Sequence, residues 1–125
     1  MQKLILFVIW AVLATSVHAA TSLCSIAGHY VGKYDGPADR GTISADVSAT
    51  DGVVTGEARS ALHDQAFKIG GVVNDSGVLT ANGAVGSGAA FSGRFLGGYA
   101  SGQWVNGDGD GTWGLIRKEQ QEGCE

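Results

Sequence analysis

The sequence predicts an all-β chain, a small antiparallel up-and-down β-barrel of about eight strands, preceded by a cleaved signal peptide. Three observations predict it. Apolar and polar residues alternate with period two along most of residues 26–118, the pattern of strands with one buried face. Short turn clusters rich in Gly, Asn and Asp separate the runs at regular intervals. The chain has 21 glycines among 125 residues, far above the usual share of about 7%, and a mainly helical chain would not tolerate them.

Residues 1–20 read as the signal. Lys3 supplies the positive start, and residues 4–14 form an apolar run too short to span a bilayer as a helix. Val17-His18-Ala19 and His18-Ala19-Ala20 are small-residue cleavage patterns, so the cut is expected after Ala19 or Ala20. Residues 21–125 then form a single barrel domain. Leu23 has the wrong shape to precede a lipid-modified Cys24. The two cysteines, Cys24 and Cys124, lie near the ends of the mature chain and are expected to pair in an oxidising compartment. Without neighbouring His they make no zinc site.

The first strand is expected over residues 26–34, with Ile26, Gly28, Tyr30, Gly32 and Tyr34 on one face and Ala27, His29, Val31 and Lys33 on the other. Over 42–49, Ile43, Ala45, Val47 and Ala49 alternate with Thr42, Ser44, Asp46 and Ser48. Thr50-Asp51-Gly52 turns the chain, and Val54, Gly56 and Ala58 oppose Thr55, Glu57 and Arg59. After a break at 62–64 come Phe67, Ile69, Gly71 and Val73. Asn74-Asp75-Ser76-Gly77 leads to a strand over 78–85, and Gly86-Ser87-Gly88 to one over 89–96. Gly97-Gly98 suits a two-residue hairpin, because glycine supplies the positive φ such turns need. The last two strands are 99–106 and 112–118, with 107–111 as the turn between them. The polar tail from Glu119 to Glu125 has only Cys124 to order it. Residues 47–56 and 73–82 echo one another, as a repeated hairpin would.

Many glycines lie two residues from an aromatic: Gly28/Tyr30/Gly32/Tyr34, Phe91/Gly93/Phe95 and Gly102/Trp104. At that spacing they share a face, so a ring can lie across a neighbouring strand's glycine while the glycines let a tight barrel bend. The alternative is that they leave an interior cavity for a ligand.

Residues 41–56 resemble the second and third strands of the avidin and streptavidin family. Phe91-Ser92-Gly93-Arg94-Phe95-Leu96-Gly97-Gly98 is similar to that family's W-S-G-x-Y-x-G-G stretch, and Gln103-Trp104 to its following Q-W pair. The resemblance implies an eight-stranded calycin-type barrel with a ligand site at one end. Ser60, Ser87 and Trp104 fall where the family places two biotin-contacting hydroxyls and a binding tryptophan. Ala58 and Ala89 replace a binding Tyr and Thr. The middle-strand Trp and late-strand Asp have no counterparts in 78–85 and 112–117. The resemblance therefore implies the barrel without most of the biotin-binding set.

Catalytic motifs are absent from the sequence: no G-x-S-x-G, H-E-x-x-H or phosphate loop. His63-Asp64 is a possible acid–base pair, although adjacent residues in a strand point apart. Asp35/Asp39 and Asp108/Asp110 are expected on loops as solvated carboxylates. Asn106, Asp108 and Asp110 alternate with glycines as a calcium loop begins, but Arg117 stands where the closing Glu would be. Otherwise no metal site and no cofactor is expected. Asn74-Asp75-Ser76 is a glycosylation sequon only in a eukaryotic secretory path.

Net charge bounds the partners. With 8 Lys+Arg against 12 Asp+Glu the chain stands at −4, unsuited to tracking a phosphate backbone. The polar strand faces exclude a lipid-facing barrel, and no integral membrane insertion is expected after signal cleavage. The resulting expectation is a periplasmic or secreted non-catalytic binding module. The sequence does not identify its ligand; a small apolar molecule is one candidate, with Tyr30, Tyr34, Ser60, Ser87, Phe91, Phe95 and Trp104 as the candidate binding residues. The alternatives are a protein-directed inhibitor or envelope accessory protein working through loops 62–65 and 107–111, and a small hydrolase using His63.

Overall fold

A computed structural model describes residues 23–83 and 88–124. The expected signal segment, Ser87 and the end of the fifth run lie outside these residues. Eight strands follow in order: β1 Gly28–Asp35, β2 Gly41–Val47, β3 Val53–Ser60, β4 Gln65–Val73, β5 Val78–Gly83, β6 Ala90–Leu96, β7 Tyr99–Asn106 and β8 Gly109–Gln120. Each pairs antiparallel with the next, and β8 returns to β1, closing the barrel. Closure removes the unpaired edges that an open eight-stranded sheet would expose.

The period-two reading sets which face goes in. Tyr30 and Tyr34, Ile43 and Ala45, Val54 and Ala58, Ile69 and Val73, Phe91 and Phe95, Trp113 and Leu115 are all buried in one core. The outer wall carries exposed Thr42, Asp46, Glu57, Arg59, Lys68 and Gln103 between them. Glycine makes room for the rings, as expected. A Cβ on Gly93 would lie 2.6 Å from Cζ2 of Trp113 and against the Ser101 carbonyl. The Trp113 ring thus crosses β7, whose Gly102 pairs with both Gly93 and Trp113, to rest on β6.

Three expectations need correction. The last hairpin is tighter than five residues, because Asn106 Oδ1 accepts the backbone N–H groups of Asp108 (2.8 Å) and Gly109 (2.9 Å). The turn closes over Gly107-Asp108, Asn106 pairs with Gly109, and Asp110 sits in β8 opposite Val105. The first strand starts at Gly28 because residues 23–27 form a single turn, in which Ala27 N donates to the Leu23 carbonyl at 2.9 Å. The tail is held by more than its cysteine. β8 runs to Gln120, Gln121 N bonds the Ala27 carbonyl, and Gln121 Oε1 accepts from Ala49 N at 2.8 Å.

Cys24 and Cys124 are disulfide-bonded across a sequence separation of 100, with Cα atoms 5.1 Å apart. The bridge fits an oxidising, non-cytoplasmic compartment. Among the described residues, no helix is long and apolar enough to cross a membrane.

Candidate functional site

The up-and-down order puts the terminal segments and the turns at 48–52, 74–77 and 97–98 at one end of the barrel. The loops at 36–40 and 61–64 and the turn at 107–108 form the other end, here called the mouth. The candidate ligand residues divide between these ends. Tyr30 and Phe95 lie toward the disulfide end, edge to face with centroids 5.0 Å apart. Tyr30 Oη donates to the Ile26 carbonyl at 2.6 Å, which fastens the 23–27 turn over this end. Arg117 Nη1 holds the same segment through the carbonyls of Ser25 (3.0 Å) and Ala27 (3.2 Å). Burial pushes the Tyr30 hydroxyl above its ordinary pKa, and the nearby Arg117 charge pulls the other way.

Tyr34, Ser60 and Trp104 come together at the mouth. Tyr34 stands edge-on to Trp104 (5.8 Å) and to Phe67 (6.2 Å). Trp104 Nε1 donates to the Asp35 carbonyl at 3.2 Å. The hydroxyls converge on Asp39, which is not a freely solvated loop carboxylate. Tyr34 Oη donates to its Oδ2 at 3.0 Å, Ser60 Oγ to its Oδ1 at 2.6 Å, and Arg40 N to Oδ1 at 2.9 Å. Asp39 thus folds the 36–40 loop onto the mouth. Burial, followed by the hydrogen bond and charge of Asp39, pushes the Tyr34 hydroxyl up to about 12, against a smaller opposing bond from Ser60. Ser60 is 3% exposed and also accepts the His63 N–H at 3.0 Å, so both its hydrogen-bonding roles are filled within the chain.

Phe91 sits between the two groups, on the wall of the interior void. That void measures about 20 Å³ and is lined entirely by apolar side chains, among them Ile43, Val54, Leu79, Phe95 and Leu115. It is about the size of one water molecule and offers that water no polar partner. A small-molecule site takes about 300 Å³ or more. Among the described residues, larger depressions lie on the outer wall, one of them lined by strand side chains such as Ser92, Gln103 and Thr112.

The remaining candidates do not converge. The His63 ring is exposed on the 61–64 tip and makes no ion pair with a carboxylate among the described residues; Asp64 pairs instead with Arg59 Nη2 at 3.0 Å. The calcium-loop residues Asn106, Asp108 and Asp110 are the hairpin just described, with the Asn106 oxygen used by the backbone. Among the described residues, no group of three or more His, Cys, Asp or Glu is placed to hold a metal ion. Asn74 Oδ1 caps its own turn, accepting from Ser76 N and Val78 N. His29 Nδ1 lies 2.9 Å from Asp46 Oδ1 across the β1–β2 ladder, a pair that period alone does not reveal.

Compared with models of known protein families the chain matches none, and no curated protein sequence matches it.

Proposed function

We propose that this chain is a secreted or periplasmic, non-catalytic β-barrel that binds a partner protein through its outer surface and loops. The observation that carries this reading is how little space the described core residues leave between them. The void lined by Ile43, Phe91, Phe95 and Trp113 measures about 20 Å³, well below the volume that a small-molecule site takes. The likeness to the avidin family then concerns architecture, and the mouth hydroxyls serve Asp39 rather than a guest.

The loops are suited to a partner. The 61–64 tip exposes Leu62 and is braced by Ser60 Oγ on His63 N and by Arg59 on Asp64. A tip already ordered gives up little conformational freedom on binding. The disulfide supports a compartment in which such a small domain endures.

Native mass spectrometry of the protein purified from its own host tests this reading. The expected result is a complex heavier than the chain by the mass of a protein subunit. A bound mass of only a few hundred daltons would return the small-molecule reading and overturn this one.

A further inference from the structure

The disulfide is not what closes the barrel. β1 and β8 pair from Gly28 with Gln120 to Asp35 with Thr112, and that ladder completes the ring of eight strands. Cys24 and Cys124 lie beyond its last pair, one before Gly28 and the other after Gln120. What the bond joins is two terminal segments laid over one end of the barrel. Residues 23–27 place Ile26, 4% exposed, and Ala27, fully buried, on the core end where Tyr30 lies. The tail 121–124 meets them through Gln121 N on the Ala27 carbonyl at 3.3 Å. It also reaches the β2–β3 turn, where Gln121 Oε1 accepts from Ala49 N. Together the two segments cap the disulfide end.

Apart from the bond, the cap is held lightly. Ile26 is its one large side chain in the core. Its hydrogen bonds to the barrel come from Tyr30 Oη, Arg117 Nη1, Gln121 N and Ala49 N. Each such bond replaces one to water and has a small net effect. Against them stands the backbone entropy of two chain ends, which lose order unless tied down. Both cysteines are half-exposed, and exposed disulfides are the ones open to thiol exchange.

We infer that Cys24–Cys124 is a redox latch on this cap: its oxidation seals the end of an already closed barrel, and a dithiol reopens it. In opening, one thiolate of the dithiol attacks a cystine sulfur and forms a mixed disulfide. Its second thiolate then closes on the first sulfur and expels the remaining cysteine. The dithiol leaves as a cyclic disulfide, and the two electrons and two protons it gives up appear as two cysteine thiols. Closing is the reverse exchange with a small disulfide as oxidant. Thiols stay reduced until a chain meets an oxidising compartment, so the cap closes last, over a folded barrel. With the cap off, Tyr30 loses its Ile26 acceptor, and the Tyr30–Phe95 pair becomes the part of the core that water meets. The latch acts whatever the outer surface and loops bind.

NMR spectra of the oxidised protein, and of the same sample held in dithiothreitol at neutral pH, test this. On reduction the amide signals of Ile26, Ala27, Gln121 and Cys124 should move to random-coil positions, and that of Ala49 should shift as it loses Gln121. The Trp104 and Trp113 indole N–H signals should stay in place, because their acceptors, the carbonyls of Asp35, Ser92 and Gln103, belong to the strands. Oxidised glutathione should restore the first spectrum, and C24S combined with C124S should give the second without reductant. Reduction should also proceed from the folded state. About 1 M urea, which raises the unfolded fraction roughly fivefold to tenfold, should change its rate by less than about twofold. Cap signals that stay put on reduction would show that the hydrogen bonds suffice and would overturn the latch. Loss of the indole signals would place the bond in barrel closure, and a reduction rate that follows the unfolded fraction would bury it in the fold; either would overturn the latch too.

Discussion

Replacing Asp39 with alanine should loosen the mouth without touching the core. The carboxylate accepts hydrogen bonds from the Tyr34 and Ser60 hydroxyls, both on side chains that are almost fully buried. Hydrogen bonds to a charged group contribute about 1.5–3 kcal/mol each, and a buried donor left without a partner adds to the loss. Asp39 itself is half-exposed, and water can enter the space that alanine leaves. The expected cost is therefore about 2–4 kcal/mol, below the sum of two such bonds. For a domain of this size that corresponds to a fall of roughly 10–25 °C in Tm. Urea denaturation followed by tryptophan fluorescence measures the change, since Trp104 packs edge-on against Tyr34. Asp39→Asn keeps an acceptor oxygen and should lose about half as much. An Asp39→Ala protein within about 0.5 kcal/mol of the parent would refute the claim that this carboxylate fastens the loop to the barrel.

Other outcomes follow from the same structure. Gly93→Ala drives a Cβ into Trp113 and the Ser101 carbonyl and should cost about 1–3 kcal/mol in urea denaturation, whereas Gly70→Ala, with nothing within 4 Å, should be neutral or slightly stabilising. Replacing both Cys24 and Cys124 by serine opens a loop spanning 100 residues and should lower stability by about 4–5 kcal/mol, read in the same assay and reproduced by reducing the parent protein. Tyr34 has its folded pKa raised from 10.0 to about 12, so the native state holds this proton more tightly than the unfolded chain. Its contribution is fully present below pH 10 and is lost as pH rises toward 12, at up to about 1.4 kcal/mol per pH unit. Tyr34→Phe should flatten the decline of stability over that window, with the part due to Tyr30 remaining; an unchanged slope would remove Tyr34 from the account.

The barrel was legible in the sequence because burial imposes its period on every strand. Tyr30/Gly32/Tyr34 and Phe91/Gly93/Phe95 each place large and absent side chains on one face, and the structure turns that face inward. Turn lengths were less legible. Residues 106–111 contain several glycines able to turn, and the choice of Gly107-Asp108 comes from the Asn106 side chain bonding two N–H groups. The mouth was legible only in its strand residues. Tyr34, Ser60 and Trp104 stood out by type, but Asp39 comes from a loop and meets Ser60 across 21 positions only because β1, β2 and β3 bring their ends together. The His29–Asp46 pair likewise depends on inter-strand register, which a single chain's alternation does not specify.

That the barrel's own side chains fill its interior is the claim on which the protein-binding reading stands. Methyl NMR spectra of the protein as purified from its host, and again after complete unfolding and refolding, test it most directly. The methyls of Ile43, Val54, Ile69, Leu79 and Leu115 line the interior void. Coincident resonances for these groups in the two samples are the expected result. Displacement of these signals after refolding would show that the host-made barrel held a guest, and would contradict the account.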